Sequence, residues 1–162
     1  MVWRGLRRLG VPEANIEDAV QDVFLVAHRR LADFEGRSSL KTWLYGIVLR
    51  VAKDHRRAQV RQACRVERLA DVLSCTSALE PSPVDEAERR EANRALHAIL
   101  AELDPDYREV LVLVELEGLA VREVAEVLHL HVRACQRRLR KAHAAFEKRL
   151  ARYLQPDGRQ IR

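Results

Sequence analysis

The stretch from Arg133 to Lys141 carries the densest chemistry of the chain. It holds five basic side chains, Arg133, Arg137, Arg138, Arg140 and Lys141, together with Gln136 and no acid. Arginine and glutamine present paired donors that match base edges in a DNA major groove, and further arginines and lysines neutralise phosphates. A basic run alone also describes a solvated helical face, so its setting matters. Residues 119–141, LAVREVAEVLHLHVRACQRRLRK, have the layout of a helix-turn-helix. Val124, Ala125 and Leu128 face inward on the first helix, where small Ala125 lets the helices approach. Leu130 plugs the turn, and Cys135 and Leu139 are the buried residues of the second helix. The basic residues are left largely outward, with Arg122 near the start of the first helix within reach of a phosphate. His129 stands where such turns most often hold glycine, so a left-handed histidine is expected there. His131 replaces the usual Ser or Thr cap.

A second set of polar residues lies in the first third of the chain. Arg37, Ser38 and Ser39 form a short polar loop, and Lys41, Tyr45, Lys53, Arg56 and Arg57 occupy the outer side of the helix that follows. A third set, Glu17, Asp18, Gln21 and Asp22, forms an acidic patch on the helix before the loop.

The elements that position these groups follow from periodicity. Asn15 with Asp18 reads as a helix start, and Ile16, Val20, Val23, Phe24, Ala27 and Leu31 form its apolar stripe, which ends near Gly36. Ser38 or Ser39 caps a second helix with Leu40, Trp43, Leu44, Ile47, Val48 and Val51 on its inner face. Trp43 is expected in the core, and Phe34 likewise. Ser74-Cys75-Thr76-Ser77 and Glu80-Pro81-Ser82-Pro83 are linker chemistry. Helix starts recur at Ser82-Pro83 and at Asp104-Pro105, and Gly118 reads as the residue just past a helix end. The expected fold is therefore all-α. Two small helical domains span residues 1–60 and 83–154, joined by a flexible linker over 61–82 and followed by a disordered tail over 155–162.

Composition agrees with this reading. Of 162 residues 48% are hydrophobic but only 5% aromatic, and six Gly with five Pro supply too few turns for a β-sandwich or barrel. No apolar run approaches the roughly 18 residues of a membrane span, and no secretory signal is visible, so a cytoplasmic protein without membrane insertion is expected. Three cysteines, Cys64, Cys75 and Cys135, at irregular spacing fit free thiols rather than a disulfide framework. The net charge of +5 divides into +4 over residues 1–60, −2 over 61–102 and +3 over 103–162. Two basic ends around an acidic middle suit two surfaces facing a polyanion. No Gly-rich phosphate loop, HExxH or GxSxG motif is present, so no enzyme, metal site or cofactor is expected.

Taken together, the chain resembles a bacterial alternative sigma factor of the extracytoplasmic-function group in the sigma-70 family. Residues 16–57, IEDAVQDVFLVAHRRLADF, then EGRSS, then LKTWLYGIVLRVAKDHRR, look like region 2 of that family. Residues 96–150 look like region 4, in the family's order and with a variable linker between. The resemblance implies that Asp18, Gln21, Asp22 and Leu25 bind the clamp of core RNA polymerase. It implies that Arg37, Ser38, Ser39, Lys41, Tyr45, Lys53, Arg56 and Arg57 face the −10 element of promoter DNA. It implies that Arg133, Gln136, Arg137, Arg138, Arg140, Lys141 and Arg122 bind the −35 element. An anti-sigma partner is also implied. Members of the family carry a further helix ahead of the segment starting at Val11, so the N-terminal helix is expected to be truncated. The stripe at Ile16, Val20 and Phe24 is then exposed unless Trp3 and Leu6 cover it.

Two other readings compete on the residues alone. A stand-alone helix-turn-helix regulator would bind duplex DNA without polymerase, and its N-terminal half would sense a ligand or mediate dimerisation. A protein-interaction module would sequester polymerase or a regulator without melting DNA. EGRSSLKTWLYGI, matching region 2, speaks against the first.

Overall fold

The computed structural model describes residues 1–66 and 84–154, with side chains over 1–62 and 91–154. Among the described residues the chain is helical throughout: α1 (Val2–Arg8), α2 (Ile16–Arg30), α3 (Leu40–Val66), α4 (Val84–Ala101), α5 (Pro105–Leu111), α6 (Val121–Val127) and α7 (Val132–Leu154). The helix over α3 runs on through the first six residues of the expected linker. Residues 67–83, with Cys75 and the Ser82-Pro83 start, lie outside the described residues, as does the tail from 155.

The N-terminal half is a three-helix bundle. α1 is only seven residues long, yet it seals the bundle with Leu6, and Leu9 just behind it, both fully buried. Burying a leucine removes enough apolar surface from water to contribute about 1.5–3 kcal/mol. Trp3 takes no part in this cover. It stays 41% exposed, with the Arg7 guanidinium 5.3 Å from its ring centre. The apolar stripe of α2 is also rotated from expectation. Ile16, Ala19 and Val23 are buried, whereas Phe24 and Leu31 are 57% and 56% exposed. With α1 and α3 both packed on α2, the arc that lies between them starts at Ala19 rather than Val20.

Local chemistry sets the helix starts. Asn15 stands at the N-terminal boundary of α2 without a side-chain bond to the helix. Ser39 caps α3, its Oγ accepting the Thr42 N–H at 3.0 Å. Asp104 caps α5, its carboxylate accepting the Asp106 N–H at 2.8 Å, with Pro105 in the first turn.

α5 passes into a π-helical turn, Val112–Leu116, where the Glu117 N–H reaches the Val112 carbonyl at 3.0 Å. Gly118 ends it in the left-handed region, φ 67°, and the Leu119 N–H closes back on the Leu113 carbonyl. α6 and α7 then pack through Val124, Ala125 and Cys135, all buried, and Leu130 is held over the turn by its N–H bond to the Ala125 carbonyl, 2.8 Å. His129 adopts φ 53°, as its place in the turn demands. The buried residues of the two halves form one continuous apolar cluster.

Candidate nucleic-acid interface

The helix-turn-helix presents its basic residues much as the pattern predicts. Arg133, Gln136, Arg137, Arg140 and Lys141 are exposed along α7. Arg122 on α6 is also exposed, 3.9 Å from Glu126 one turn on. Arg138 differs: it turns back to Asp106 of α5 at 2.9 Å and is half-buried. The Cys135 thiol is fully enclosed beneath this face, and burial pushes its pKa up, so it serves as packing.

The polar face of α3 has a different environment. Glu109 of α5, 1% exposed, accepts from Arg56 Nη2 at 2.7 Å. Its other oxygen lies 2.9 Å from Lys53 Nζ, an ion pair rather than an aligned hydrogen bond. Arg56 also donates to the Leu9 carbonyl at 2.7 Å. Glu117, directly after the π turn, pairs with Arg8 of α1 at 2.9 Å and accepts from the Tyr45 hydroxyl. The Glu117 carbonyl accepts from Lys41. Glu123 accepts from Thr42 Oγ1 at 2.5 Å and from Ser39 Oγ at 3.4 Å, while its second oxygen caps α6 at the Ala120 N–H, 2.9 Å. Ala120 has no side-chain acceptor, so this is half of a capping box.

Tyr45 therefore corrects the sequence reading. It was expected on the outward side of α3 and is instead completely buried, because the C-terminal half packs on that side. Burial, followed by the bond to Glu117, raises its pKa. The Thr42 bond leads the causes that hold the Glu123 carboxyl below its usual range. Trp43 is half-buried and packs on Phe34 with ring centres 5.3 Å apart. Of the remaining loop and α3 residues, Arg37 is exposed and paired with Glu35 at 2.5 Å, Ser38 is half-buried and Arg57 is exposed.

The acidic patch of α2 is open to solvent. Asp18, Gln21 and Leu25 are exposed, and Asp22 is exposed while sharing a 2.9 Å bond with His55 of α3. Exposed Phe24 and Leu25 lie beside it and give this surface an apolar component.

Sequence reasoning missed Glu109, Glu117 and Glu123. Glu109 had a readable signal: it shares a helical face with Val112 and Leu113 in the run EVLVLVELEG, and a carboxylate at such a position requires a cation from elsewhere in the fold. Nothing local identifies that cation as Arg56, 53 positions away.

Family models for sigma-70 region 2 and sigma-70 region 4 match residues 1–62 and 93–145. The RNA polymerase sigma factor CnrH of Cupriavidus metallidurans is 34% identical over 142 residues, which cover 85% of this chain and 74% of that protein. The chain belongs to the sigma-70 family. It is an alternative sigma factor of the extracytoplasmic-function group. The sigma-E factor of Haemophilus influenzae is 30% identical over 90% of this chain and 80% of its own. The solved structure of CnrH with the cytosolic domain of CnrY matches with a TM-score of 0.66 and 28% identity, over 93% of this chain and 80% of that one. The sigma factor RpoE of Bartonella quintana, solved with the anti-sigma factor NepR, shares the fold at a TM-score of 0.70 and 21% identity, over 93% and 92%. A stand-alone regulator is thereby set aside. The region 2 match includes α1, so the short first helix belongs to the sigma-factor bundle.

Proposed function

We propose that this sigma factor directs core RNA polymerase to promoters through two DNA surfaces. Region 4 reads the −35 element with Arg133, Gln136, Arg137, Arg138 and Arg140 of α7, while Lys141 and Arg122 hold phosphates. Region 2 engages the −10 element with Arg37, Ser38 and Ser39 of the loop and Lys41, Lys53, Arg56 and Arg57 of α3. It contributes to strand opening by receiving an unstacked base. Asp18, Gln21, Asp22 and Leu25 of α2 bind the polymerase clamp. The factor works with polymerase in the cytoplasm and does no catalysis of its own, and the reading calls for no cofactor. An anti-sigma protein is its expected regulator, in line with the partners named for the CnrH and RpoE structures.

The observation that carries this reading is the exposed basic face of α7 on a correctly built turn, in one chain with a region 2 bundle. The test is co-elution of the purified protein with core RNA polymerase on size exclusion, with and without Asp22→Lys. Stable co-elution weakened by the charge reversal is expected. Failure to co-elute, with duplex DNA still bound, would contradict it.

A further inference from the structure

A pocket of about 210 Å³ opens where the end of α1 meets the corner between α4 and α5. Its walls carry three guanidinium groups, Arg7 and Arg8 of α1 and Arg108 of α5, with His97 of α4 beside them, against a single carboxylate, Glu13. We propose that this pocket binds a small anion ending in a phosphate group, either inorganic phosphate or the terminus of a phosphomonoester. The inference does not draw on the DNA and polymerase surfaces assigned above.

Arg108 supplies charge at the bottom of the pocket. It is 8% exposed, and its Nε and Nη2 donate to the carbonyls of Leu100, at 2.5 Å, and Ala101, at 2.6 Å, at the end of α4. Among the described residues its hydrogen bonds go to main-chain carbonyls alone, and neighbouring Glu109 is committed to Arg56 and Lys53. Buried cations ordinarily have an anionic partner. Here Nη1 is left toward Gly10, which sits at φ 88° and where a Cβ would lie 2.0 Å away. Glycine thus keeps side-chain atoms out of the space against the guanidinium.

The other groups lie nearer the mouth. Arg7 pairs with Glu13 at 3.2 Å, both side chains being partly exposed. Such a pair contributes little, so a phosphate can take Arg7 from Glu13. Arg8 engages Glu117 and the Leu116 carbonyl through Nη1, which leaves its Nη2 and Nε without an acceptor among the described residues. The pKa of His97 is lowered, first by burial and then by Arg7 and Arg8, so a neutral imidazole sits in a positive field and has one N–H to donate. Guanidinium forks match phosphate oxygens and make charge-assisted hydrogen bonds to them. Size narrows the ligand further. Drug-sized ligands occupy roughly 300–1,000 Å³, so this pocket admits a phosphate group and leaves the body of a nucleotide outside. A monoester can direct its one substituent out of the mouth, whereas a DNA phosphodiester carries two and is held back from Arg108.

The test titrates inorganic phosphate, and separately methyl phosphate, into the full chain by calorimetry, with ionic strength held constant by sodium chloride. One-to-one binding of phosphate is expected, and at ten times its dissociation constant the melting temperature should rise by about 3–6 °C. Arg7→Gln, at the mouth, and Arg108→Lys, at depth, should each weaken binding about ten-fold or more, the loss of a charge-assisted hydrogen bond. Arg4→Gln removes the same charge as Arg7→Gln from an exposed position on α1 outside the pocket. Screening should hold its effect below about two-fold. Should Arg108→Lys lose helix content by circular dichroism, Arg7→Gln decides alone. Binding of inorganic phosphate alone supports a site for the free ion, and comparable binding of methyl phosphate supports one that also takes an ester terminus. Absence of saturable binding by either probe would overturn the site. Binding that Arg7→Gln leaves intact, or that Arg4→Gln weakens equally, would overturn it too.

Discussion

Two basic helix faces of similar composition have opposite surroundings in this molecule. On α7, Arg133, Gln136, Arg137, Arg140 and Lys141 stand in solvent, and Arg138 is drawn back, to Asp106. On α3, Lys53 and Arg56 converge on a buried glutamate, and Tyr45 is enclosed. A basic residue's availability is thus set by where the fold's carboxylates fall, and its own type and register do not decide it. The surface proposed to read duplex DNA is open as folded, whereas the surface proposed to open the strands is engaged internally.

The largest expected effect breaks this contrast at its centre. Glu109→Ala leaves Arg56 without its charge partner, holding only the Leu9 carbonyl, and Lys53 in part unpaired, in a mostly buried site. It should destabilise the fold by about 3 kcal/mol, the lower end for a broken buried pair because Lys53 reaches water. Thermal denaturation measures this, and Arg137→Ala on the open face should change stability by less than about 0.5 kcal/mol.

Function should divide the other way. Arg137→Ala is expected to cost about 1–3 kcal/mol at one base pair of a −35 duplex. Lys141→Ala should instead weaken all sequences alike and lower the salt slope by about one. Competition binding across duplex variants separates the two. A smaller effect sharpens the exception on α7. Asp106 is exposed, so Asp106→Asn should shift stability by less than about 1 kcal/mol, and releasing Arg138 should tighten duplex binding slightly in the same assay.

The smallest effect is a pH dependence. Glu123 has its pKa lowered by its bond from Thr42, so the carboxylate favours the folded state. That contribution is complete above the ordinary value of 4.5 and is lost as pH falls through the lower folded value. Acid unfolding of Glu123→Gln should therefore be flatter below pH 4.5 than that of the wild type.

Much of the architecture was legible because it is local. The Asp104-Pro105 start, the Gly118 stop, the left-handed His129 and the burial of Val124, Ala125 and Cys135 all follow from short-range pattern. The α7 surface was legible for the same reason, since a helix face is read from spacing alone. What the pattern missed is long-range. The shift of the α2 stripe onto Ala19 depends on two neighbours packing at once. The enclosure of Tyr45 depends on Glu117, 72 positions away. Periodicity distinguishes inside from outside only for the partner that is near in sequence, and α3 packs against both halves.

The most direct test of the account is transcription itself. Core RNA polymerase, with and without this protein, is given a library of fragments from its own genome, and the transcript starts are sequenced. A set of starts that appears only with the protein, shares sequence near −35 and −10, and is lost with Arg137→Ala is the result predicted. Starts unchanged by the protein, although it binds polymerase, would contradict a role in promoter selection.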